Sequence, residues 1–316
     1  MERLRIAVTG ASGFVGANLV NSLKDRHEVF ALSRSSNNWR LDGFDTERVD
    51  ITDRERTISI IRGLKLDVII HCAVYGGYHF ETDTRQIIDT NIIGTMNVID
   101  ACDNTTFFIN TGSSSEYGIR DSPMKESDLI RPNTDYAMTK ALITNLLVSK
   151  GIYSTTLRLF SVYGYYEERH RLIPTVLYSM IRGTDLVLSN RHNVRDFIFV
   201  EDVVRAYNAV IAKRDKLEMG EIFNVGTGKQ TSVEDVVKIT KAKVRWNSEV
   251  RTPEPERVWQ ADISKIKSEL GWEPEYDLRT GLDKTKRWME ENIEFYEEEK
   301  NDKRGKFGSN SKRTEN

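Results

Sequence analysis

"TGASGFVG", residues 9–16, sets Gly10, Gly13 and Gly16 between an apolar run, "LRIAVT" at 4–9, and a segment of helical spacing from Phe14 to Lys24. Glycine allows a tight strand-to-helix turn and lets backbone N–H groups approach an anion, and the positive end of the helix dipole adds to the attraction. At the first strand-to-helix junction of a chain, such a turn fits the pyrophosphate of a dinucleotide, held by Gly10, Ser12, Gly13, Phe14, Val15 and Gly16.

Further short runs rich in Val, Ile and Phe follow: "EVFALS" at 28–33, "DVIIHCA" at 67–73, "FFIN" at 107–110 and "TTLRLF" at 155–160. Segments of helical periodicity lie between them, among them 85–102 and 136–148. Strand alternating with helix predicts an α/β fold, a doubly wound parallel sheet covered by helices on both faces. The rhythm breaks after Phe160. "RLIPTVLYSMIRG", "VEDVVRAYNAVIA" and "SVEDVVKITKA" read as helices, and "GEIFNVGTG" as one more strand. The expected organisation is a dinucleotide-binding domain over 1–160 and about 196–228, with a smaller mixed substrate region over about 161–195 and 229–298. A last helix is expected from Arg279 to about Glu298, and the charged stretch 299–316 is expected to be a disordered tail.

The 316 residues carry 46 basic and 48 acidic side chains, a net charge of -2, so neither nucleic acid nor an anionic membrane is an expected partner. Mean hydropathy is -0.50 and no apolar run approaches 18 residues, which argues against a membrane span. The chain passes from a short charged start into its first strand without a leader-like apolar core. Its two cysteines, Cys72 and Cys102, suit a reducing compartment better than a disulfide framework, so cytoplasmic placement is expected. No metal site is assigned.

In "YAMTK", Tyr136 and Lys140 stand four residues apart and share one helix face. A free phenol, with a pKa of about 10, is a poor base at neutral pH, and a neighbouring ammonium is needed to stabilise the phenolate. Lys140 supplies that charge.

The glycine turn, "YAMTK" and the loop "NTGSSSEYG" at 110–118 together resemble the extended short-chain dehydrogenase/reductase family, in its NAD(P)-dependent nucleotide-sugar epimerase, dehydratase and 4-ketoreductase branch. The likeness runs to about "ELGW" at 269–272. It implies that Lys140 also holds the nicotinamide ribose, and, counting back four from Tyr117, that Ser113 is the hydroxyl that polarises a carbonyl. Ser114, on the substrate side, and Ser115 then fall where the family's 4,6-dehydratases carry an acidic pair, and serine is a poor general acid. Glu116 would take the dehydratase glutamate's place only if the loop had lost a residue. At the end of the second strand, "ALSRSSNNWR" offers Ser33 where an acid would select NAD, and Arg34 next to it, which favours NADP with NAD possible. Asp50 and Ile51 in "VDIT" are implied at the adenine, and Cys72 and Ala73 in "HCA" beside the nicotinamide ribose. On the nucleotide-sugar side, Ser161 in "LRLFSVYG" stands where an asparagine is common. Arg195 in "RDFIFVEDV" matches an arginine at the diphosphate, and Arg257 in "PEPERVWQAD" is a second candidate. Glu201 and Asp202 are expected to cap a helix.

The expected activity is reduction of a nucleoside-diphosphate 4-keto sugar by NADPH, with Tyr136 as proton donor, Ser113 polarising the carbonyl and Lys140 supporting both. A nucleotide-sugar 4-epimerase on the same triad is the alternative; a 4,6-dehydratase and a non-catalytic NADP sensor come after it. The resemblance also implies a homodimer through helices 85–102 and 135–149.

Overall fold

The computed structural model describes residues 3–34, 39–247 and 257–297, and the tail expected at 299–316 lies outside the described residues. In chain order come β1 (Arg5–Thr9), α1 (Phe14–Leu23), β2 (Glu28–Ser33), β3 (Thr46–Arg48), α2 (Arg54–Leu64), β4 (Val68–His71), α3 (Thr84–Ile88), α4 (Thr95–Ala101), β5 (Phe107–Ser113), α5 (Asp135–Ser149) and β6 (Ser154–Leu159). After β6 follow β7 (Ser161–Tyr163), α6 (Leu172–Arg182), β8 (Leu186–Leu188), β9 (Val194–Arg195), β10 (Phe197–Phe199), α7 (Val200–Lys213), β11 (Glu221–Val225), β12 (Thr231–Ser232), α8 (Val233–Thr240), β13 (Val244–Trp246), α9 (Ser264–Leu270) and α10 (Leu278–Glu291).

Seven strands form one parallel sheet in the order β11-β6-β5-β4-β1-β2-β3. Strand residues alternate between its faces. Ile6 and Val8, Val68 and Ile70, and Phe107 and Ile109 pack with Leu19 and Leu23 of α1, Val203 and Val210 of α7, and Leu270 of α9. Their sequence neighbours Ala7, Ile69 and Phe108 pack on the other face with Ile61 of α2, Val98 of α4 and Ile143 and Leu147 of α5. A fully buried side chain of this size is worth about 1.5–3 kcal/mol. The two clusters, rather than helix propensity, therefore hold the helices on the sheet. A third cluster around Tyr163, Leu177, Phe199, Leu282 and Met289 binds α10 to the later strands. No helix among the described residues is long and apolar enough to cross a membrane.

Several elements depart from expectation. Segment 85–102 is not one regular helix, because a π-helical turn, Asp89–Gly94, joins α3 to α4. Asn91 explains it: its side chain accepts from the Tyr75 N–H and donates to the Tyr75 carbonyl, both at 2.8 Å, and donates to the Thr139 hydroxyl, tying the loop after β4 to α5. β5 runs past "FFIN" to Ser113, since Thr111, Gly112 and Ser113 pair with Leu157, Arg158 and Leu159. The expected last helix is interrupted once: α10 breaks at Asn292, which leaves helical geometry, helical residues resume over 293–297, and Glu298 lies outside the described residues. Glu201 and Asp202 do not cap α7, which begins at Val200, directly after Phe199, without a side-chain cap. Buried Asp202 instead accepts from the backbone N–H groups of Glu275 and Tyr276, and Glu201 pairs with Lys284, so both tie α7 to the approach of α10.

Candidate active site

Strand order turns at β1, with β2 and β3 to one side and β4, β5, β6 and β11 to the other. A doubly wound sheet leaves its crevice there, at the carboxyl ends of the strands. A cleft of about 720 Å³ occupies the place, and every cofactor-binding and catalytic residue expected from the sequence lines it, as do Ser114, Ser161 and Arg195. Arg257 does not. It lines a smaller cavity of about 230 Å³ together with Arg195 and Trp259, over whose ring Arg195 lies at 4.8 Å.

The glycine turn is packed too closely for side chains. Gly10 has φ +63°, a Cβ on it would lie 2.6 Å from the Ala73 nitrogen, and one on Gly16 would lie 2.3 Å from the Gly10 carbonyl oxygen. α1 starts after Gly13 with no side-chain cap and no acid in its first turn, which leaves the first-turn N–H groups facing the cleft for an anion. These residues fit a dinucleotide pyrophosphate. Gly16→Ala is expected to weaken dinucleotide binding about tenfold or more, because the turn must open by an amount that typically costs 1–3 kcal/mol; fluorescence titration with NADH and NADPH measures it. At the end of β2, Ser33 is buried and donates to the Ser12 hydroxyl at 2.6 Å, while Arg34 is exposed on the rim. Asp50, lower on the cleft, accepts from the Thr52 N–H and hydroxyl through one oxygen.

β5 delivers Ser113 and the first turn of α5, capped by Thr134, delivers Tyr136. Both side chains line the cleft. Burial raises the Tyr136 hydroxyl above its ordinary value; Glu116 and Glu81 push the same way, and Ser113 and the Arg171 charge pull it back. Lys140 lies one turn further along α5, its Nζ donating to the Thr111 carbonyl at 2.8 Å and standing 5.9 Å from the Tyr136 ring. Burial pushes Lys140 down to about 8, against upward pulls from Glu116 and Cys72. The phenol, hydroxyl and ammonium thus line one cleft together, where they can move a proton at an oxygen bound there.

Glu116 faces the other way. It is fully buried, one oxygen accepting from the Ser113 backbone N–H at 2.9 Å and the other from Arg158 Nε at 2.9 Å, and it does not line the cleft. Ser114 and Ser115 do line it, so the loop presents hydroxyls to a ligand and no carboxylate. His71 is a core histidine: Thr9 and Thr95 hydroxyls bracket its ring at 2.8 Å each, and burial, then the Lys140 charge, lowers it to about 3.

A second lobe of about 560 Å³ continues the cleft, sharing Tyr78, Ser161, Val162, Arg171 and Arg195 with it. Several cleft residues escaped the sequence reading. Arg40 pairs with Glu168 at 3.6 Å and donates to the Tyr166 carbonyl, which joins the loops after β2 and β7, and Tyr78, from the loop after β4, lines the cleft with them. The aromatic and glycine-rich "YGGYHF" directly after β4 was the available signal for Tyr78. Among the described residues no group of three or more His, Cys, Asp or Glu is placed to hold a metal ion.

A doubly wound sheet with a cap-free glycine turn at its switch point, and a Ser, Tyr and Lys set in the same cleft, belongs to the Rossmann-type dinucleotide-dependent enzymes. More narrowly, the chain belongs to the NAD dependent epimerase/dehydratase family, whose model matches residues 6–226, and is an enzyme of that nucleotide-sugar family. It is 26% identical to a dTDP-glucose 4,6-dehydratase of Haemophilus influenzae over 90% of this chain and 97% of that one. It is 27% identical to a putative UDP-glucose 4-epimerase of Methanocaldococcus jannaschii over 91% of this chain and 99% of that one. A solved structure of MoeE5 in complex with UDP-glucuronic acid and NAD superposes with TM-score 0.81 at 26% identity, over 91% of this chain and 99% of that one.

Proposed function

We propose that the protein interconverts nucleoside-diphosphate sugars at C4, as a 4-epimerase, using NAD or NADP. The observation that carries this is the Ser113, Tyr136 and Lys140 set facing the cleft while Glu116 faces the core. Dehydration needs a carboxylic acid beside the reacting carbons, and this loop turns its one acid away. The 4-epimerase among the relatives and the NAD in MoeE5 support the choice.

A nicotinamide held beside Tyr136 and Lys140 would supply reversible hydride transfer at C4. Tyr136 moves the proton at the C4 oxygen, Ser113 donates a hydrogen bond to that oxygen as it becomes a carbonyl, and Lys140 holds positive charge beside the phenolate. Because the ammonium is needed, activity is expected to fall as pH rises through about 8, the value to which burial lowers Lys140. The nucleotide side is proposed for the 560 Å³ lobe, where Leu172, Ile173 and Phe197 offer apolar cover for a base and Arg195 a forked cation for the diphosphate. Residues 161–195 and 229–298 supply most of that lobe, consistent with a substrate region set against the dinucleotide-binding one. Incubation with UDP-glucose should yield the C4 epimer without net consumption of cofactor.

Reduction of a 4-keto sugar is the second reading, favoured by Arg34 on the rim at the end of β2, where a 2′-phosphate would be met. Arg34→Ala is then expected to weaken NADP binding by about tenfold or more and leave NAD unchanged, a comparison made by calorimetry. A homodimer is also proposed: Ile88, Ile93, Met96, Met138 and Leu142 are exposed on the α3 to α4 run and on α5. Met138→Glu with Leu142→Glu should give a monomer by light scattering.

A further inference from the structure

We propose that Glu116 is a positioning residue, its buried carboxylate setting Ser113 in place. The inference rests on the C4 oxidoreduction reading and deepens it. One carboxylate oxygen binds the backbone N–H of Ser113 at 2.9 Å, and the Ser113 hydroxyl accepts in turn from the Ser115 N–H at 3.1 Å. This reciprocal arrangement closes the turn Ser114–Tyr117 on the end of β5, so the direction of the Ser113 side chain depends on Glu116. The other oxygen binds Arg158, whose side chain is 3% exposed against 0% for Glu116. Arg158 is the buried partner of the Glu116 carboxylate, and removing either member leaves the other without its compensating charge.

Two substitutions test this role. Glu116→Gln keeps an oxygen for the Ser113 N–H at the original reach; Glu116→Asp shortens the reach. kcat and KM for C4 interconversion of UDP-glucose are measured for wild type and both variants, with circular dichroism to verify folding. In Glu116→Asp kcat is expected to fall about tenfold with KM within threefold, the equivalent of one charge-assisted hydrogen bond. Glu116→Gln is expected to keep kcat within about threefold of wild type. A wild-type kcat in Glu116→Asp, or a kcat in Glu116→Gln as low as in Glu116→Asp, overturns the proposal. Should the glutamine variant not fold, the aspartate variant decides alone. A wild-type protein without turnover overturns the oxidoreduction reading together with the role built on it, whereas wild-type turnover with an unchanged kcat in Glu116→Asp overturns only the role of Glu116.

Discussion

Tyr136→Phe is expected to lower turnover about 1,000-fold while dinucleotide and nucleotide-sugar binding change less than about threefold, the loss that removal of a positioned proton-transfer group brings. Tyr136 reaches the cleft from the first turn of α5, beside Ser113 in the cleft wall, with Lys140 one turn behind it. Phenylalanine keeps the ring over which the Lys140 ammonium lies and removes only the hydroxyl. Cys72, pushed up to about 11 by burial, and His71, lowered to about 3, are each held in the neutral form and cannot take its place. Turnover measured by NMR of the sugar, with binding measured separately by calorimetry, separates the two effects. A loss under tenfold would mean that another group moves the proton.

Arg158→Ala is expected to destabilise the fold by about 3–5 kcal/mol, measured by urea denaturation. Arg158 lies in β6 with its guanidinium against Glu116 and 4.6 Å from the Tyr117 ring, and removing it strands a carboxylate in the core. Replacing both members, Arg158→Met with Glu116→Leu, should recover much of the loss, because two apolar side chains remove the need for compensation. The double variant should nonetheless be a poor catalyst, since Ser113 loses its anchor. A cost below about 1 kcal/mol for Arg158→Ala would show that the Arg158–Glu116 pair does not hold this part of the core.

The fold was legible where chemistry leaves a local mark. The glycine turn needs backbone room that no other residue gives, and each long strand carries alternating bulk that both helix layers bury, so β1, β2, β4, β5 and β6 could be seen in the chain. β3 could not, because "TER" is three residues long with an exposed charged pair. The π-helical turn was hidden because it comes from a side-chain contact between Asn91 and Tyr75, which no helical periodicity records. In the site, Tyr136 and Lys140 were legible from one spacing. The direction of Glu116 was not, because "SSSEYG" is too short for a period and its turn is set by a partner 42 residues away. The signal that existed was Arg158 itself: an arginine inside a strand otherwise made to be buried requires a buried acid to face it. Arg257 carried no such mark, and its match to the family pattern led to a cavity beside the cleft rather than into it.

Hydride movement at C4 is the claim on which the rest depends, and UDP-glucose deuterated at C4 tests it most directly. Expected is a C4 epimer that still carries the deuterium on C4, with none lost to water and no net change in the cofactor absorbance at the end of the reaction. Deuterium found on C6, with a 4-keto-6-deoxy product, would contradict this reading and mean that the protein eliminates water despite the inward turn of Glu116.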